Sequence, residues 1–136
     1  MGIATHLDQQ DQGLLALWAA DCAEHVLPLF EQMHPQDDRP RQAIEAARAW
    51  VRGEIPSGAA RAAAVAAHAA ARTADEGAAR AVARAAGHAA GTAHMLGHAQ
   101  HAAAYAVKAV FAAEADSATE REWQRRRLPK NLRRMI

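Results

Sequence analysis

The sequence predicts an all-α fold, a compact bundle of five to six helices packed as antiparallel hairpins. Three observations carry this expectation. Alanine, the strongest helix former, fills 39 of 136 positions and 25 of the 48 between Ala59 and Ala106. Larger apolar residues recur at three- and four-residue spacing and do not alternate. Capping residues, prolines and glycines punctuate the periodic stretches at intervals suited to short helices.

The first helix is read from "GLLALWAADCAEHVLPLFEQM", where Leu14, Leu15, Trp18, Cys22, Val26, Leu29 and Phe30 form one stripe. Pro28 withholds a donor and crowds the preceding turn, so a kink is expected near Glu24 to Pro28. The helix should stop before His34, which precedes Pro35. Asp37 or Asp38 can cap the second helix, with Pro40 in its first turn, Ile44, Ala47 and Val51 inward, and Gly53 and Pro56 closing it. Ser57 is the expected cap of the third helix, which runs to about Arg72. Asp75 and Glu76 favour a fresh N-terminus through the helix dipole.

From Asp75 to Ala115 no proline intervenes. One helix over that stretch would be roughly 60 Å long, too long for a compact domain of this size. A break is therefore required, with Gly91 and Gly97 as candidates. Leu96-Gly97 is preferred, giving a fourth helix at about 76 to 95 and a fifth at about 98 to 114. Ser117 with Glu120 three residues on reads as a capping box for the last helix, and Pro129 ends it. The whole is read as a single helical domain over residues 1–136, with the basic tail 129–136 extended.

Apolar residues make up 51% of the chain and aromatics only 4%. Alanine buries little area, so the core should depend on close helix approach. The formal net charge of +1 gives no global field toward nucleic acid or a membrane. The distribution is uneven: residues 1 to 40 hold seven acids against Arg39, and residues 117 to 136 hold seven bases against Glu120 and Glu122. Either both segments are solvated or face each other, or the basic one binds a partner. Cys22 stands alone, so no intrachain disulfide forms. No uncharged apolar run approaches membrane-spanning length, and no secretory leader is expected from the N-terminal residues; Met1-Gly2 is weak evidence for lipidation. The expected compartment is the cytoplasm.

Two constellations carry the candidate chemistry. On the fifth helix, with Val107 set at zero and about 100° per residue, Val110 and Phe111 share its face. His98, His101, Tyr105 and Lys108 then form a polar stripe opposite, either a partner-binding face or an ordinary solvated one. In an unbroken helix His94, His98 and His101 would resemble a three-histidine zinc face. A break at Leu96-Gly97 removes that geometry, and no carboxylate lies nearby to orient the rings. No metal and no cofactor is therefore expected. On the first helix, Asp21 and His25 are four apart and can pair, with Arg41, Arg61 or Arg72 as further partners. They are either a structural polar pair or an acid–base pair, the latter without a nucleophile beside it. Cys22 lies beside acids, which raise a thiol pKa. The structural polar cluster is expected to comprise Asp21, Glu24, His25, Arg41, His68, Arg72 and His94.

A weak frame recurs as Ala-Ala-His-Ala-Ala at 66 to 70, Ala-Gly-His-Ala-Ala at 86 to 90 and Ala-Gln-His-Ala-Ala at 99 to 103. The unequal spacing excludes a solenoid and is read as biased composition with stacked hairpins.

The strings "LWAADCAEHVLPLFE", "RPRQAIEAARAWVRGE", "AAHAAARTA", "ARAAGHAAGTAHM", "HAAAYAVKAV" and "EREWQRRRLP" follow one another in an order and spacing that resembles the immunity proteins of the immunity-five-like family, small bacterial proteins linked to polymorphic toxin systems. The resemblance covers roughly residues 14 to 129. Relatives tend to carry a Pro-Thr pair where this chain has Leu96-Gly97, which favours a break there. The family-like polar positions are Asp21, Glu24, Arg39, Arg41, His68, Arg72, His94, His98, Tyr105, Lys108 and Trp123. The resemblance implies a toxin-neutralising binding protein, not an enzyme, with a cognate protein toxin as partner and no catalytic residues to transfer. A homodimer is compatible with it; membrane and nucleic acid are not expected as partners. The alternative is a helical metal- or small-ligand-binding protein using the histidines of residues 68–101. A third reading is a DNA-associated protein using the basic C-terminus.

Overall fold

The computed structural model describes residues 8–74, 77–93 and 95–135, with only the backbone of Met135. Six α-helices and one 3₁₀ helix make up the described residues, with no strand among them. They are α1 (Gln9–Glu31), α2 (Arg39–Val51), α3 (Ser57–Thr73), α4 (Ala78–Gly91), α5 (His98–Ala112) and α6 (Ser117–Arg127), followed by the 3₁₀ helix Lys130–Met135. The all-α bundle expected from the sequence is what forms.

Side-chain partners give the hairpin register. Asp21 and Glu24 of α1 meet Arg48 of α2, while Glu31 meets Arg41. As one number rises the other falls, so α1 and α2 run antiparallel. The same holds for α3 and α4, where His68 meets Arg84 and the Ala71 carbonyl meets Arg80. It holds again for α1 and α6, where Trp18 meets Gln124 and His25 meets Glu120.

The core is built on α4. Ala79, Ala81, Val82, Ala83, Ala85, Ala86, Ala89 and Ala90 are all buried, and Gly87 and Gly91 with them. So many small side chains let α1, α2, α3 and α5 all pack on this helix at close range. Bulk comes from α1, whose Leu15, Trp18, Val26, Leu27 and Phe30 fill the space together with Ile44 of α2. By length and mean hydropathy α1 could cross a membrane, but it carries Asp21 and Glu24 and spends its large apolar residues on this core. It remains one helix through Pro28 to Glu31, so the proline withholds a donor near the end of the element without terminating it.

Several boundaries differ from expectation. Asp8 caps α1 by accepting from the Asp11 N–H. Ser57 does not cap α3; it is the first helical residue, after Pro56. Asp116, not Ser117, caps α6, accepting from the Ala118 and Thr119 N–H groups. Glu120 is thereby released from the supposed capping box and turns inward. α4 ends at Gly91, four residues early, where Thr92 donates its hydroxyl back to the His88 carbonyl. The turn extends from there through Leu96-Gly97, and α5 starts at His98 as expected. Asp75 and Glu76, expected to start α4, lie outside the described residues, as does Gly2. Gly53 closes α2 at φ 75°, with Gly53 N–H donating to Trp50 and Glu54 N–H to Ala49, a Schellman cap. The tail is not extended over 130–135, because Leu128 and Leu132 are buried and draw it into a 3₁₀ turn.

Candidate functional site

α5 presents a different core face from the one its bulky residues suggest. Ala99, Ala102, Ala103, Ala106 and Ala109 are buried against the rest of the bundle, with Val107 at their edge. Phe111, assigned to the core on size, is 73% exposed. The inward direction lies roughly 100° from that expected, because close approach to the small residues of α4 selects alanine over phenylalanine. Phe111 instead extends the outward stripe of His101, Ala104 and Lys108, all exposed. His98 and Tyr105 sit between the two faces, half-buried, and Tyr105 packs on the core.

This edge of α5 meets α4 and α3 in a cluster of rings whose hub is His88. Its ring lies 4.9 Å from His68, 5.0 Å from His98, 5.2 Å from His101 and 5.3 Å from Tyr105, centroid to centroid, stacked nearly parallel on the tyrosine. Nδ1 of His88 and Nδ1 of His98 stand 2.7 Å apart. One of them donates, so the other carries no proton on Nδ1 and its ring is neutral. Arg84 NH1 lies 3.0 Å from Nδ1 of His68. A guanidinium can only donate, so His68 accepts and is the neutral Nε2–H tautomer. Lys108 Nζ stands 4.6 Å above the Tyr105 ring in a cation–π contact.

Two glycines make room for these rings. A Cβ at Gly87 would fall 2.6 Å from His68 Nε2, and one at Gly91 would fall 3.1 Å from His98 Cγ. Packing and like charge favour the neutral rings of His68 and His88. Burial, then His68, His98, His101 and Arg84, push the His88 pKa down to about 4. Burial, then Arg84, His98 and Arg72, also lower His68.

The polar cluster expected on α1 divides into separate pairs. Asp21 and His25 do not pair with each other. Asp21 faces Arg48 at 3.0 Å and Arg127 at 3.7 Å, neither of which was among the expected partners. His25 Nδ1 meets Glu120 at 2.8 Å and stacks on Trp123 with centroids 3.6 Å apart. The i, i+4 pair is lost because Arg48 and Glu120 offer full charges from neighbouring helices. Glu24 meets Arg48, whose hydrogen bond lowers its pKa. Arg41 meets Glu31 and lowers it in the same way, away from Asp21. Arg39 is tied to Asp37 at 2.7 Å. Arg72 is exposed at the end of α3, and His94 lies outside the described residues. The Cys22 thiol is fully buried; burial first, then Glu120 and Asp21, raise its pKa.

The cluster thus unites His68, His98, His101, Tyr105 and Lys108, while Asp21, Glu24, His25 and Arg41 belong elsewhere. Sequence reasoning included His88 only among the histidines of residues 68–101 in its alternative reading, and did not single out Arg84. The recurring alanine-histidine frame was the available signal, since its three histidines, His68, His88 and His101, are the ones brought together. Among the described residues no three histidines, cysteines or carboxylates are placed to hold a metal ion.

The family described as Imm-5 like putative immunity protein matches residues 5–131. The chain belongs to this family. Neither the curated proteins nor the solved structures return a match. As the immunity-protein match takes in all six α-helices, the ring cluster on α3, α4 and α5 and the ion pairs on α1, α2 and α6 all lie within the family region.

Proposed function

We propose that this chain neutralises a cognate bacterial toxin by binding it directly, in the cytoplasm of the cell that makes the toxin, and that it catalyses no reaction. Family membership across residues 5–131 carries this reading. Inhibition by occlusion asks only for a firm scaffold and a face with chemical character. The outward stripe of α5 supplies an exposed aromatic, Phe111, and an exposed cation, Lys108, with the half-buried Tyr105 beside them. Tyrosine brings contact area at low entropy cost, and lysine steers encounter.

Co-expression with the product of the adjacent reading frame, expected to be the toxin, tests the proposal. The two chains should co-purify, and the chain should restore growth. Tyr105→Ala with Lys108→Ala should weaken binding while the helical dichroism stays unchanged. Absence of a complex with that toxin would refute the reading. The convergence of four imidazoles favours a second reading, a metal- or small-ligand-binding protein. Stoichiometric zinc in purified protein, released by His98→Ala or His101→Ala, would put that reading first.

A further inference from the structure

The charge on this chain is sorted by helix. α3, α4 and α5 contain no aspartate or glutamate at all, yet they carry Arg61, Arg72, Arg80, Arg84 and Lys108. The acids nearest in sequence are Asp75 and Glu76, between the α3 and α4 segments of the sequence, and Glu114 just beyond α5. The half-buried arginines have different surroundings. Arg48 is held by Asp21 and Glu24. Arg80 donates to the Ala71 and Ala74 carbonyls. Among the described residues, Arg84 meets a neutral imidazole, His68, and no carboxylate. A guanidinium partly withdrawn from water without an anion is a standing electrostatic cost, and an incoming carboxylate relieves it. On α3, Arg61, Val65, His68 and Arg72 share one stripe by helical spacing, and His68 joins that stripe to α4 and α5 through the rings of His88 and Tyr105.

We infer that the face shared by α3, α4 and α5 receives an acidic protein surface, whose carboxylates meet Arg84 and Lys108 on either side of the imidazole cluster. This rests on the binding role proposed above and specifies the chemistry of the partner. Protein fits better than nucleic acid for two reasons. The face is edged by exposed apolar side chains, Val65 and Phe111 at 60% and 73%, which a phosphate backbone leaves unsatisfied. Its cations are spread over three helices and do not form the dense row that tracks phosphates. The cations of α6 and the 3₁₀ helix are a weaker candidate, because Arg127 lies against Asp21, Arg126 against Glu122, and Arg133 donates to the Leu128 and Arg126 carbonyls.

The test uses the full chain and poly-L-glutamate as probe, read by imidazole NMR resonances at neutral pH and low salt. The His68, His88, His98 and His101 signals should shift on titration. Lys108→Glu, at an exposed site, should weaken binding about tenfold; Arg72→Glu should weaken it too, and Arg125→Glu on α6 should leave it unchanged. Poly-L-lysine should shift nothing. Unmoved imidazole signals would overturn the inference. So would binding that Arg125→Glu abolishes and Lys108→Glu spares, or tighter binding of a DNA duplex that Lys108→Glu weakens. If poly-L-glutamate binds as described and the neighbouring toxin does not, the acid-receptive face stands and the immunity role falls. If the toxin binds and poly-L-glutamate does not, the role stands and this face is not its contact.

Discussion

The imidazole of His68 on α3 rests over Gly87 on α4, so closely that a Cβ at residue 87 would stand 2.6 Å from Nε2. A Cβ does not approach a non-bonded neighbour that closely, so glycine here is a steric requirement of the His68 ring as it is placed. Gly87→Ala should displace His68, break its contact with Arg84 and destabilise the fold by about 1–3 kcal/mol through overpacking. Chemical denaturation measures the loss. Adding His68→Ala removes the obstacle, so the double variant should recover part of it. An unchanged midpoint for Gly87→Ala alone would mean that the ring swings aside without loss.

The ring cluster also sets a pH dependence. His88 has its pKa lowered from 6.5 to about 4 in the folded chain, and His68 is lowered as well. A base with a depressed folded pKa binds protons more readily when unfolded, so protonation favours unfolding. Stability from His88 is therefore fully present above about pH 6.5, falls as pH drops toward 4, and changes no further below that. Melting temperatures measured across this interval should decline with falling pH. His88→Gln should flatten the decline, and an equal slope in the variant would place its origin elsewhere.

Much of the fold was legible because backbone chemistry speaks locally. Alanine content, Gly53, Pro40 and the start of α5 at His98 follow from residues a few positions apart. The site was less legible, for two physical reasons. The inward face of α5 is decided by the shape of α4, whose small residues accept Ala102 and Ala106 and leave no space for Phe111. Partner choice among charges is decided across helices: Asp21 takes Arg48 and Arg127 where His25 was four residues away. Only the alanine-histidine frame carried a hint of the ring cluster, and its meaning depends on α3, α4 and α5 lying side by side.

Glu114 follows α5 with φ at 61°, a left-handed conformation that side chains resist. It serves a Schellman cap: its N–H donates to the Phe111 carbonyl, and the Ala115 N–H to the Val110 carbonyl. Glycine fills the equivalent position after α2. Glu114→Gly should therefore stabilise the chain by about 1 kcal/mol, the steric cost of the left-handed region. Thermal unfolding checks this, and a lower melting temperature would show that the carboxylate contributes more than the backbone relief.

α6 is anchored by polar groups more than by apolar bulk. Glu120, 4% exposed, accepts from Gln124 Nε2 at 3.2 Å and meets His25 Nδ1 at 2.8 Å. Gln124 also donates to the Ala103 carbonyl of α5 at 3.0 Å, and its own carbonyl accepts from Trp18 Nε1 at 2.8 Å. One glutamate thus holds together a link among α1, α5 and α6. Glu120→Ala removes the carboxylate partner of the exposed His25 and one of the two acceptors of the buried Gln124, at about 1 kcal/mol for the hydrogen bonds lost. Glu120→Gln keeps the shape and one acceptor, so its loss should be smaller. The two should differ in place as well as size. Hydrogen exchange should quicken along Ser117–Arg127 in Glu120→Ala before it quickens in α4, since the anchor of α6 is lost while the alanine core is intact. Uniform quickening through α4 would mean instead that α6 and the core unfold as one unit, and that this buried carboxylate supports the whole bundle.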